Sequence, residues 1–172
     1  MTRLTMVRHG QASFSTGDYD RLTPMGERQS GALAKHWLDR SERLDALFCA
    51  TLQRQRRAGK VVRETFEAAG VDCPELEVLP GLNEYHDDEM MEHLLPELCK
   101  RDPRFETLKN EYDNAPEGNK RYRTFQRLWE AITEQYIQGD YDANGFESWP
   151  EFRDRVRGAF NELRSREGSG TT

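Results

Sequence analysis

The 172-residue chain is poor in cysteine, has no surplus of basic residues and carries no long apolar run. Its three cysteines, Cys49, Cys73 and Cys99, are odd in number and far apart. Their number and spacing suggest neither a disulfide framework nor a CxxC zinc or redox motif, and the cysteines are expected to be small buried apolar groups. No window approaches the roughly 20 apolar residues that cross a bilayer, and the opening MTRLTMVRHG lacks the apolar stretch of a secretion signal. A cytoplasmic protein without a membrane partner is therefore expected. Lys and Arg number 25 against 31 Asp and Glu, a net charge of −6, and the charges are dispersed along the chain. No basic face is available to track a nucleic-acid backbone, so a nucleic-acid partner is not expected. Internal repeats are absent, and the only low-complexity stretch is the terminal Gly168-Ser169-Gly170-Thr171-Thr172.

The length suits one domain over 1–172, which would bury roughly two-thirds of the surface of its unfolded chain. Leu4, Met6 and Val7 make residues 3–8 apolar enough for a buried strand, and Thr23-Pro24 then offers an N-cap followed by proline at the first helical position. A helix over about 24–40 would turn Leu33, Ala34, Trp37 and Leu38 inward and Glu27, Arg28, Lys35 and Asp39 outward. A second strand is expected over 45–50. It would be followed by a helix carrying Val61, Val62, Phe66 and Ala69 and ended by Gly70, then by a third strand over 76–79 closed by Pro80-Gly81. This alternation predicts an α/β fold whose parallel strands are joined by helical crossovers. Residues from about 88 to 144 read as a helical insertion or lid, broken at Asp102-Pro103 and over 114–119. Ser148-Trp149-Pro150-Glu151 has the S-x-x-E form of a capping box. Phe152, Val156, Phe160 and Leu163 then form one apolar stripe on the last helix.

In an open parallel sheet, loops beyond the carboxyl ends of the strands converge on one crevice. His9 follows the first expected strand, Arg54 the second and Glu84 the third. Alone, each has a bland reading: a structural histidine, a solvated arginine, a loop glutamate. Together at one edge they suggest phosphoryl transfer. Neutral imidazole is a nucleophile toward phosphorus, Arg8 and Arg54 have fork geometry for phosphate oxygens, and main-chain N–H groups near Gly10 can donate to a phosphate. Glu84 is the best-placed acid to protonate a leaving alkoxide.

Several ordered motifs carry a resemblance. LTMVRHGQAS resembles the RHG signature of the histidine phosphatase superfamily, the phosphoglycerate mutase-like proteins. Leu22-Thr23-Pro24-Met25-Gly26 with Gln29 resembles its L-T-x-x-G-x-x-Q helix start, Ala50-Thr51-Leu52-Gln53-Arg54 its S-x-L-x-R segment and Gly81-Leu82-Asn83-Glu84 its L-x-E. Glu147-Ser148 with Phe152 and Arg155 resembles the start of its G-E-S helix. The resemblance implies a three-layer α/β/α fold with a mostly parallel central sheet. It also implies a phosphohistidine at His9, phosphate binding by Arg8 and Arg54, a proton donor in Glu84, and no metal or other cofactor; Gly10 and Gln11 are expected to complete the substrate-binding set. Members usually carry a second histidine in a V-x-x-H-G stretch on a further strand. The terminal 168–172 looks like the loop leading to that strand, so the sequence resembles a member truncated at its C-terminus. His36, His86 and His93 do not match that position. Ala50-Thr51 stands where Ser-Pro is common.

The expected activity is a metal-independent phosphatase acting on a phosphorylated small molecule or phosphoprotein. A mutase is the alternative, with Lys100, Arg101, Arg104, Lys109, Lys120, Arg121 and Arg123 as cations for a second phosphate. A non-catalytic binding protein or inactive fragment is the reading from a different class. His86, Glu89 and His93 fall at i, i+3 and i+7, a metal-like spacing that a solvated acidic helix start explains as well.

Overall fold

Thr23-Pro24 opens the first helix. In the computed structural model, which describes residues 3–13, 20–85, 87–139, 141 and 145–167, α1 spans Pro24–Asp39. The Thr23 hydroxyl accepts from the Gly26 N–H at 3.1 Å, and proline occupies the first turn, where its missing N–H costs nothing. Strand β1 (Leu47–Cys49), helix α2 (Gln53–Ala68) and strand β2 (Leu76–Val78) follow. β1 and β2 pair in parallel, Leu47 opposite Leu76 and Cys49 opposite Val78, with α2 as the crossover. At the end of α2, Gly70 takes φ +70°, and the N–H of Val71 reaches back to the Phe66 carbonyl at 3.1 Å. Only a residue without Cβ adopts that turn freely. A 3₁₀ turn, Pro80–Leu82, closes β2.

The chain divides into two compact units, one formed by Met1–Asn83 with Val156–Thr172 and the other by Glu84–Arg155. In the first, Ala34 of α1 packs against Val62 and Phe66 of α2, with Trp37, Leu38, Leu44 and Cys73 at the margin. Arg57 of α2 donates to both carboxylate oxygens of Glu27 on α1, at 2.7 and 3.2 Å, which holds Glu27 below the usual carboxylate range. Leu79, Ala159 and Leu163 form a second apolar group with Phe48 and Leu82.

The fold class is α/β, with most residues helical and a small parallel sheet. One element differs from expectation. Residues 3–8 form no strand, and Leu4, Met6 and Val7 are 54%, 74% and 52% exposed. An apolar run becomes a buried strand only where a neighbour supplies a hydrogen-bonding ladder and a layer to cover it. Among the described residues the sheet consists of β1 and β2, and neither pairs with this run. The chain pairs further on, by an isolated antiparallel bridge between Ala12 and Leu22.

The second unit is helical. A single turn, α3 (Asp87–Glu89), continues through a π-helical turn at Met90–Leu94 into α4 (Leu95–Arg101); α5 (Pro103–Asp113), α6 (Asn119–Gln138) and the start of α7 (Trp149–Glu167) follow. The break expected at Asp102-Pro103 is a cap, with the Asp102 carboxylate accepting from the Arg104 N–H at 2.8 Å. Met90, Leu94, Leu98, Phe105, Leu128, Ile132 and Tyr136 are buried together. Tyr136 lies at the centre of an aromatic group with Tyr85, Tyr141 and Trp149 at 5.9–6.0 Å between ring centroids. Tyr112, Phe125 and Trp129 are partly buried in this set, whereas Tyr122 is exposed.

Candidate active site

The Arg8-His9-Gly10-Gln11 segment is seated on the first turn of α1 by backbone contact. A Cβ on Gly10 would lie 2.4 Å from the Gly26 carbonyl oxygen and 2.7 Å from its Cα, and a Cβ on Gly26 would lie 2.3 Å from the Gln11 carbonyl oxygen. Both positions therefore require glycine for packing of main chain on main chain. The Gln11 N–H donates to Gln29 Oε1 at 2.8 Å, and its carbonyl accepts from the Thr23 N–H at 2.9 Å. The Thr23 hydroxyl lies 3.2 Å from that carbonyl and 3.0 Å from Gln11 Oε1. Gly10 and Gln11 thus anchor His9 to α1, and Gly26, Thr23 and Gln29 are the partners that do so.

His9 directly precedes this anchor and is half-buried. Its Nδ1 is 2.7 Å from the carbonyl oxygen of Gly10. A carbonyl can only accept, so Nδ1 carries the proton in this contact, and Nε2 of the neutral ring keeps its lone pair. Arg8, beside it in the chain, is exposed.

Arg54 lies in the first turn of α2 and is only 4% exposed. Two side chains distant in sequence shape the turn that leads to it. Asn83 Oδ1 accepts from both the N–H and the hydroxyl of Thr51, each at 2.9 Å. Proline at position 51 would have no N–H to donate, so this contact is specific to the Ala50-Thr51 sequence. Asp20 accepts from the Gln53 N–H at 2.9 Å, and its other oxygen lies 3.4 Å from the Arg54 N–H and 3.3 Å from Arg54 Nη1. It satisfies the start of a helix whose own N-cap, Leu52, has no side chain able to do so. Sequence reasoning missed Asp20 and Asn83: their partners lie 33 and 32 residues away.

Arg8, His9, Gly10, Gln11 and Arg54 belong to the first unit, and Glu84, half-buried, is the first residue of the second. His36 is exposed on α1, and His93 is exposed beside Phe146. His86 and the terminal 168–172 lie outside the described residues. Among the described residues no group of three or more His, Cys, Asp or Glu side chains is close enough to hold a metal ion, and no helix is long and apolar enough to cross a membrane. Burial pushes the thiols of Cys49, Cys73 and Cys99 up, away from the thiolate form a cysteine nucleophile needs.

A profile of the histidine phosphatase superfamily (branch 1) matches residues 4–138, most of the chain. The chain belongs to this superfamily, whose members are phosphoryl-transfer enzymes, phosphatases and mutases. No curated protein and no solved structure matches it.

Proposed function

We propose that the protein is a phosphatase that hydrolyses a phosphorylated small molecule or phosphoprotein through a phosphohistidine at His9. The observation that supports this reading is the contact between His9 Nδ1 and the Gly10 carbonyl, which frees Nε2 to act as the nucleophilic atom of a ring carried beside a loop that packs on α1. In the first step the Nε2 lone pair forms a bond to phosphorus while the ester P–O bond breaks. The leaving alkoxide takes a proton from the carboxylic acid of Glu84. Water then attacks the phosphohistidine, giving its proton to the Glu84 carboxylate as the P–N bond breaks and its electrons return to the ring. Arg8 and Arg54 neutralise charge on the equatorial oxygens in both steps. The guanidinium groups supply this neutralisation, so the reading requires no metal.

A mutase needs cations for a second phosphate. Of the basic residues in 88–144, Arg101, Lys109 and Arg121 are ion-paired to carboxylates four residues away on their own chain segments, the usual arrangement of a solvated helix face. Hydrolysis is the simpler reading.

Incubation with a ³²P-labelled aryl phosphate and rapid quenching is expected to give an acid-labile, base-stable label on the protein, and His9→Ala is expected to abolish it. Label persisting in His9→Ala overturns the assignment of the nucleophile. EDTA is expected to leave labelling unchanged; its loss would return a metal to the reaction.

A further inference from the structure

We infer that Asp20 is a positioning residue for phosphate binding: its carboxylate holds the first turn of α2 and aligns the Arg54 guanidinium. This rests on the reading of Arg54 as a phosphate ligand. The Arg54 side chain is 5% exposed and that of Asp20 31%. A buried guanidinium keeps its charge and needs a counter-charge to offset its lost hydration. Asp20 supplies such a carboxylate, 3.3 Å from Nη1. The same carboxylate accepts the Gln53 N–H, so one anion restrains both the backbone from which Arg54 springs and the tip of its side chain. Fixing a long side chain in advance removes the loss of its rotamer entropy from the cost of the binding step. Asp20 also directly precedes Arg21 and Leu22, whose carbonyl and backbone bridge pair with Ser13 and Ala12. The short chain segment that anchors the His9 loop therefore also carries the carboxylate on Arg54, and the two phosphate-directed elements share one support.

The full chain and its Asp20→Asn, Asp20→Ala and Arg54→Gln variants, with the Asp20→Asn/Arg54→Gln double variant, are titrated with inorganic phosphate by calorimetry, and Tm is recorded for each. Asp20→Asn keeps an oxygen for the Gln53 N–H but removes the charge facing Arg54. It is expected to weaken phosphate binding about tenfold, within the coupling range of charged neighbours, with little change in Tm. Asp20→Ala is expected to weaken binding similarly and also to lower Tm. In the Arg54→Gln background Asp20→Asn is expected to have no further effect on phosphate affinity, an outcome that a merely structural role for Asp20 does not produce. If Arg54→Gln weakens binding but Asp20→Asn leaves it unchanged or tighter, the positioning role is overturned and Arg54 stands as a ligand. Phosphate affinity unchanged in Arg54→Gln removes the phosphate-binding reading of Arg54, and the inference with it.

Discussion

Gly10 and Gly26 are a matched pair in which each has lost its Cβ to the backbone of the other's neighbourhood. Alanine at Gly10 would have to move a carbonyl that now lies 2.4 Å from the position of its Cβ. Gly10→Ala and Gly26→Ala are each expected to lower stability by roughly 1–3 kcal/mol, the usual cost of forced overpacking. They should also reduce labelling of His9, because the anchored loop carries it. Gly158 is the control. It lies in the interior of α7 with nothing within 4 Å of its Cβ position, so Gly158→Ala is expected to raise stability by about 0.5–1 kcal/mol. Urea midpoints measure all three, and a Gly10→Ala midpoint equal to that of the parent would show that the contact is not tight. At this scale the family motifs were legible: His9, Arg54 and Glu84 each stand in one, within the matched residues 4–138. The tautomer of His9 was not, because it depends on where a carbonyl points.

Helices follow the sequence closely because their signals are local. The S-x-x-E pattern at 148–151 forms the expected capping box, with the Ser148 N–H and hydroxyl donating to Glu151 Oε2 at 2.8 and 2.7 Å and the Glu151 N–H directed back to Ser148 Oγ at 3.4 Å. These donors hold Glu151 below the usual carboxylate range. Its contribution is therefore present above the unfolded value, near pH 4.5, and is lost as pH falls through the lower folded value. Ser148→Ala is expected to cost about 1 kcal/mol and to flatten that acid limb, read by thermal melts at a series of pH values between 3 and 6. An acid limb of unchanged slope would mean that the box carries no pH dependence. Strands behave differently. The apolar runs at β1 and β2 find each other through the α2 crossover. The run at 3–8 is also apolar but finds no strand partner among the described residues, and Leu4, Met6 and Val7 face water.

Each compact unit of the molecule has its own apolar interior, and that of the second is dominated by aromatic rings around Tyr136. The Tyr136 hydroxyl donates to the Glu147 carbonyl at 3.0 Å while the residue is only 1% exposed. Burial raises its pKa well above the ordinary tyrosine range, since the phenolate would lose its hydration there. Stability from the buried neutral phenol is complete below the unfolded value, about pH 10, and declines as pH rises toward the folded value. Tyr136→Phe is expected to cost about 1 kcal/mol near neutrality, for the lost hydrogen bond, and to remove part of the alkaline decline. Tryptophan fluorescence against urea at pH 8–11 tests this, and a decline as steep in Tyr136→Phe as in the parent would place its cause elsewhere. By itself the sequence determined most helices, the caps at Thr23, Asp102 and Ser148, and the family motifs, because these depend on residues within a few positions of one another. Only the tertiary structure decided that Gly26 fills the space beside Gly10, that Asp20 and Asn83 shape the turn before Arg54, and that residues 3–8 form no strand. Each of these outcomes depends on distant chain segments meeting, and no local period or propensity encodes such a meeting.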